Sequence, residues 1–156
     1  MNDHLDIRLM KDEDCVAVTH IIHKNLRLVN SRDYPEEIIN HMCRLFTPAY
    51  ITEISTTRNV YVIVKDSEIV GTASLDQDTI YTVFVEVQHH RSGIGRKLIQ
   101  YIETVALQSG VTQLKLPSSI TGQGFYEKLG YRVVQVIESE EFGRDIIMSK
   151  ELSSAG

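Results

Sequence analysis

Val83-Phe84-Val85-Glu86-Val87-Gln88-His89-His90-Arg91-Ser92-Gly93-Ile94-Gly95-Arg96-Lys97-Leu98 decides how this chain folds. Residues Thr79 to Val87 are rich in β-branched and aromatic side chains, which predicts a strand. Apolar residues at Ile94, Leu98, Ile99, Ile102, Val105 and Ala106 then recur on one face, which predicts a helix to about Ser109. Gly110 suits the position just past that helix. Between strand and helix lies Arg91-Ser92-Gly93-Ile94-Gly95-Arg96. Glycine there allows a positive φ and a close approach of a ligand. The first turn of a helix carries free N–H groups and partial positive charge, so it favours phosphate.

Charge agrees. The formal net charge is -5. Yet from Val87 to Ile102 there is no Asp or Glu, while Arg91, Arg96 and Lys97 stand beside His89 and His90. A local basic cluster on an acidic chain points to a confined polyanion rather than a nucleic-acid backbone. No apolar run approaches the roughly 18 residues a membrane span needs. The polar start, Met1-Asn2-Asp3-His4-Leu5-Asp6, is no signal peptide, so a cytoplasmic location is expected. Cys15 and Cys43 lack metal-type spacing and read as reduced, buried thiols. No zinc pattern is present, and no metal is expected.

Outward from the central stretch, the elements fall in order. Ile7 to Met10 reads as a first strand. Asp12 is a candidate N-cap for a helix with the stripe Cys15, Val18, Ile22 and Leu26, running to about Leu28. Pro35 suits the first position of a second helix with Ile38, Ile39, Met42, Leu45 and Phe46 on its apolar face. Thr47 to Asn59 reads as a connection. Val60 to Val64, Ile69 to Leu75 and Thr79 to Val87 are strands joined by short turns, hence antiparallel. Thr112 to Leu116 follows the central helix. Strand, helix, strand at that spacing is a right-handed crossover, so its two strands should be parallel. Ser119 or Thr121 caps a helix to about Leu129. Tyr131 to Ile137 and Asp145 to Ser149 close the chain as a hairpin. The expectation is one domain over residues 1–152 and a disordered tail at 153–156.

A second motif, Gly124-Phe125-Tyr126-Glu127-Lys128-Leu129-Gly130-Tyr131, lies downstream. With Arg91-Ser92-Gly93-Ile94-Gly95, in this order and spacing, it resembles the GNAT family of acetyl-CoA-dependent N-acetyltransferases. The family's motifs are Gln/Arg-x-x-Gly-x-Gly/Ala and Phe/Leu-Tyr-x-x-x-Gly-Phe/Tyr. The resemblance covers nearly the whole chain. It implies an α/β fold: a mixed, mostly antiparallel twisted sheet, helices on both faces, and a central parallel β-α-β crossover.

Acetyl transfer requires a held cofactor, a stabilised thioester oxygen and moved protons. The resemblance implies acetyl-CoA as co-substrate, its diphosphate wrapped by His90, Arg91, Ser92, Gly93, Ile94, Gly95 and Arg96. It implies that Val83, Phe84 and Val85 pair with the pantetheine arm, as a sheet edge can. A backbone N–H near Val85 would face the oxyanion. His90 stands where the family has Gln or Arg. Ser119 stands where many members have Asn; it is either a cofactor contact or a turn residue.

The leaving thiol resembles cysteine, with pKa about 8.5, while tyrosine lies near 10, so a neutral phenol can protonate the sulfur. The resemblance assigns that role to Tyr126. The acceptor must also lose a proton. A lysine-like amine is only about 0.04% neutral at pH 7, a cost of about 4.6 kcal/mol. Family members often place a carboxylate on the strand before the glycine motif, where this chain has Tyr81 and Thr82. Glu86 is the nearby candidate base, with a solvated strand-end charge as the other reading and a water chain as the other route.

The expected function is acetyl transfer to a primary amine, small molecule or peptide. Residues from about Asn25 to Tyr50 would wall the acceptor, and a homodimer is left open. A non-catalytic acyl-CoA-binding module is the first rival. A nucleotide-binding fold is disfavoured by the missing Gly-Lys-Ser/Thr loop. Net charge disfavours nucleic acid.

Overall fold

The computed structural model describes residues 4–153. The strands are β1 (Leu5–Leu9), β2 (Asn59–Lys65), β3 (Glu68–Asp76), β4 (Thr79–Val85), β5 (Gln113–Ser118), β6 (Arg132–Ser139) and β7 (Gly143–Glu151). They form one sheet in the order β1-β2-β3-β4-β5-β7-β6. Every neighbouring pair is antiparallel except β4 and β5. The helices are α1 (Cys15–Leu28), α2 (Glu36–Leu45), α3 (Pro48–Ile54), α4 (Ile94–Gln108) and α5 (Gln123–Lys128). This is the expected α/β architecture, crossover included.

Strand alternation divides the core in two. Val60 and Val62 of β2 face α1, α2 and α3, packing with Val18, Ile22, Leu26, Ile39 and Phe46. Tyr61 and Ile63 face the opposite way, packing with Leu98, Ile99 and Ile102 of α4. Phe84 belongs to the first layer, and Val83 and Val85 to the second. The central strand therefore serves both faces.

The boundaries differ from expectation in physically readable ways. The first strand is Leu5–Leu9, its register running from Leu5↔Lys65 to Leu9↔Tyr61. Asp12 does not cap α1; Asp12–Asp14 is a 3₁₀ turn. The Asp14 carboxylate instead accepts the Lys11 N–H at 2.8 Å and pairs with Arg8 at 2.7 Å. Pro35 directly precedes α2. Thr47 to Asn59 is not only a connection, because it contains α3. Thr47 caps that helix by accepting the Tyr50 N–H at 3.1 Å, with Pro48 at the first position. The strand expected to reach Val87 ends at Val85, and Val87–His89 turns as 3₁₀. The last hairpin is longer than expected.

Both cysteines are buried free thiols. Among the described residues, no helix is long and apolar enough to cross a membrane, and no group of His, Cys, Asp or Glu could hold a metal ion. The expected tail falls mainly on residues 154–156, outside the described residues.

Candidate functional site

β4 and β5 pair only where β4 begins. Their one register pair is Thr79↔Lys115, with the Lys115 N–H bonded to the Asp78 carbonyl at 2.9 Å. Beyond it the two parallel strands have no pairing, so their C-terminal halves leave a slot. A cavity of about 790 Å³ occupies this region. Its lining draws on both layers: Met42, Phe46 and Phe84 from one, Val83, Val85 and Tyr126 from the other. The cavity therefore reaches through the sheet.

The β4 backbone is prepared for this slot. It bulges against β3 between Tyr81 and Phe84, where Thr82 takes φ 50°. The Glu86 N–H bonds the Val70 carbonyl at 2.7 Å. That bond makes Val85↔Gly71 a non-hydrogen-bonded pair, so the Val85 N–H and carbonyl turn away from β3. The Val85 carbonyl accepts from Asn25 Nδ2 at 2.8 Å, and His90 Nε2 stands 2.9 Å from it. His90 Nε2 is also 3.0 Å from Asn25 Oδ1. Both neighbours are acceptors, because the Asn25 amide nitrogen is directed to the Ile21 and Val85 carbonyls. Nε2 of His90 must therefore carry its proton. The side chain braces Val85 through Nε2.

The loop after β4 leaves donors free. Arg91 and Gly93 adopt φ 64° and 87°. The helical ladder of α4 begins with the Lys97 N–H on the Gly93 carbonyl at 3.1 Å. Among the described residues, the N–H groups of Gly93, Ile94, Gly95 and Arg96 have no protein acceptor. A Cβ on Gly95 would stand 3.1 Å from Phe125 Cζ, so this glycine permits close packing of α4 on α5. At Gly93 the reason is the positive φ alone, since nothing lies within 4 Å. The Ser92 hydroxyl is held locally by the His89 carbonyl.

Tyr126 sits on α5 at 7% exposure, edge-on to Phe125 and Tyr131. Its hydroxyl has no hydrogen-bond partner among the described residues. Burial alone pushes its pKa well above the ordinary tyrosine value. The neighbouring Tyr131 is different: its hydroxyl donates to Glu103 at 2.7 Å, and Lys150 approaches the same carboxylate at 3.0 Å. Ser119 has a turn role, its hydroxyl accepting the Gly122 N–H at 3.0 Å, while it also lines the cavity.

Glu86 is not gathered with these groups. Its carboxylate pairs with Lys24 at 2.7 Å, while the cavity lining passes from Val85 to His89. Burial alone would raise its pKa. The Lys24 hydrogen bond and charge, with the Val87 and Gln88 N–H groups, outweigh burial and hold it below the usual range. Tyr81 is directed elsewhere, under the Arg58 guanidinium at 4.3 Å.

Asn25 and Asp145 line the cavity; the sequence reading reached Asn25 only as the start of the expected acceptor wall and did not single out Asp145. Asn25 had a signal, as a polar residue within the stripe Val18, Ile22 and Leu26. Asp145 had none, because which way a strand residue faces depends on register.

The family model described as acetyltransferase (GNAT) domain matches residues 31–152. The protein YyaT of Bacillus subtilis is 33% identical over 69 residues, 42% of this chain and 44% of that one. The chain spans less than half the length of the curated relatives it matches first. A GCN5-related N-acetyltransferase structure from Rhodopseudomonas palustris superposes at TM-score 0.88 with 22% identity, covering 97% of this chain and 99% of that one. PaiA N-acetyltransferase from Thermoplasma acidophilum, solved in complex with coenzyme A, gives TM-score 0.78 and 18% identity, covering 95% and 99%. At such identities the structural likeness shows the fold.

Proposed function

The chain belongs to the GNAT acetyltransferase family, and from that premise we propose that it moves an acetyl group from acetyl-CoA to a primary amine. The amine gives up its proton to water and attacks directly in a ternary complex, and Tyr126 is the general acid. One observation carries this: the Val85 N–H turns into the slot whose lining also includes Tyr126, with free α4 amides at the same cavity.

The residues fit coenzyme A. A run of unpaired N–H groups from Gly93 to Arg96, at the positive end of α4 and beside Arg91, suits a diphosphate. The free edge of β4 at Val83, Phe84 and Val85 suits an arm that carries amides. When bound, acetyl-CoA supplies the activated acyl thioester. The Val85 N–H then holds the thioester oxygen as negative charge develops on it. Such a fixed donor needs little reorganisation at the moment of reaction. Tyr126 keeps its proton across the neutral range because burial disfavours the phenolate. It gives that proton to the departing sulfur. Ser119 shapes the β5–α5 turn that presents Tyr126.

Glu86 takes a positioning role in this scheme. A carboxylate already paired with Lys24 is a weaker proton acceptor than a free one. Its ion pair joins α1 to the end of β4. A non-catalytic acyl-CoA-binding module is favoured only by the absence of a free carboxylate at Glu86. The unpartnered hydroxyl of Tyr126 weighs against it, since cofactor binding alone does not require one.

Thermal unfolding with coenzyme A and with acetyl-CoA tests the first half, and thiol release over polyamines, amino acids, aminoglycosides and peptide N-termini tests the second. Stabilisation by both cofactors and thiol release with at least one amine are expected. No shift with either cofactor would sink the proposal. A shift without thiol release would leave the binding module.

A further inference from the structure

The cavity has an electrical polarity. Arg91 and Arg96 line it where α4 begins. Among its described lining residues, Asp145 is the one carboxylate. Asp145 lies on β7 opposite Ile137, next to Ile146, which pairs with Ser118 at the end of β5. Ile146 and Met148 pack with the α4 layer. Alternation therefore turns Asp145 to the other face, toward α1 and α2.

Nearby donors are committed elsewhere. Arg144 pairs with Glu138 at 2.6 Å. The Tyr34 hydroxyl donates to the Arg144 carbonyl at 2.8 Å and accepts the Ile120 N–H at 2.8 Å. Thr121 donates to Asp33 at 2.7 Å. Among the described residues, no side chain bonds or pairs with the Asp145 carboxylate. It is half-buried, and burial pushes its pKa above the ordinary carboxylate value. A half-buried carboxylate without a partner is costly unless a ligand supplies the cation. The same cavity carries apolar side chains, Leu26, Val29, Met42, Phe46 and Phe84, in its lining.

We propose that Asp145 is the binding carboxylate for the acceptor's positive charge, and that the acceptor is an alkylammonium carrying an apolar stretch beside its charged nitrogen. This rests on the acetyl-transfer reading for the identity of the occupant. The apolar walls take the hydrocarbon, and Asp145 takes the charge. The acceptor approaches from the α1–α2 face, while Gly93 to Arg96 serve the anionic substrate at the α4 end.

The test is calorimetric titration of hexylamine, and of uncharged hexanol as its control, into the coenzyme A-saturated protein and its Asp145→Asn variant. The wild-type protein should bind hexylamine, and the variant should bind it about 10- to 100-fold more weakly, as expected for loss of a partly buried charge partner. Hexanol should bind both equally. Equal hexylamine affinity in the two proteins, or none in the wild type, overturns the proposal. Coenzyme A affinity is measured alongside. Its retention in the variant certifies the fold. Its absence in both proteins defeats the acetyl-transfer reading, while hexylamine titrated into the protein alone still decides the role of Asp145. For any primary amine that is turned over, Asp145→Asn should raise KM far more than it lowers kcat.

Discussion

Nε2 of His90 stands 2.9 Å from the carbonyl oxygen of Val85, and so the glycine loop is tied back to the strand it leaves. Asn25 reaches the same carbonyl at 2.8 Å from α1. Together they fix the carbonyl of Val85, the residue whose own N–H faces the slot. A typical hydrogen bond contributes about 0.5–1.5 kcal/mol, so His90→Ala should raise KM for acetyl-CoA by about two- to tenfold. Asn25 is 4% exposed and serves two carbonyls. Asn25→Ala should therefore cost about 1–3 kcal/mol of stability, more than His90→Ala. Chemical denaturation and steady-state kinetics on both variants check this. An unchanged KM in both would mean that the bracing has no bearing on cofactor binding.

Tyr126→Phe removes one oxygen from a buried ring and leaves the packing on Phe125 and Tyr131 in place. Turnover should fall by about 10- to 10⁴-fold, with KM for acetyl-CoA little changed. Because burial holds the phenol protonated, Tyr126 should contribute no ionisation to the pH–rate profile below its ordinary value near 10. Glu86→Gln should keep kcat within about threefold of wild type, since its charge serves Lys24. A far larger loss in that variant would restore Glu86 as a base.

The crossover and the glycine loop were legible because they rest on local rules: β-branched runs, one-faced helical spacing and two glycines. The motif singled out Tyr126, which lines the cavity. The rest depended on non-local geometry. α3 spans only seven residues, too few for periodicity to register, although Thr47-Pro48 carried its capping signal. The direction of Glu86 depended on Lys24, far away in the chain. The face taken by Asp145 follows from the register of β7 on β5 and β6, which no local pattern encodes.

Gly95 and Phe125 form a steric pair. A Cβ at residue 95 would lie 3.1 Å from Phe125 Cζ and 3.5 Å from Val85 Cγ2. Gly95→Ala should push the Phe125 ring away and disturb Tyr126, its neighbour at 5.0 Å. Overpacking of this kind typically costs about 1–3 kcal/mol. Phe125→Ala removes the obstacle, so the double variant should lose less than the sum of the singles, with a coupling of about 0.5–3 kcal/mol. Thermal unfolding and kcat/KM across the four proteins measure it. Additive losses would show that the two positions do not constrain each other.

Protonation should act on stability in two opposite directions. The hydrogen bond from Arg8, against the opposing cost of burial, holds the Asp14 carboxyl below the usual range, with help from the Lys11 N–H. Burial alone would raise the Glu86 carboxyl, but the Lys24 hydrogen bond and charge, with the Val87 and Gln88 N–H groups, outweigh it and hold it low. Both contribute stability that is fully present above their unfolded pKa values, about 3.9 and 4.3, and is lost as pH falls through the lower folded values. Tm should therefore drop as pH falls from about 5 toward 2, and Arg8→Ala should flatten that drop. Asp145 runs the other way. Its folded pKa is raised by burial, so its ionised form opposes folding near neutrality and its protonation stabilises the fold as pH falls through that raised value. Asp145→Asn should raise Tm at neutral pH by a few degrees, and the gain should shrink as pH falls through the raised folded pKa. Tm measured against pH for the three proteins separates these contributions. A variant at Asp145 that is less stable than wild type at neutral pH would show that its carboxylate already has a stabilising partner.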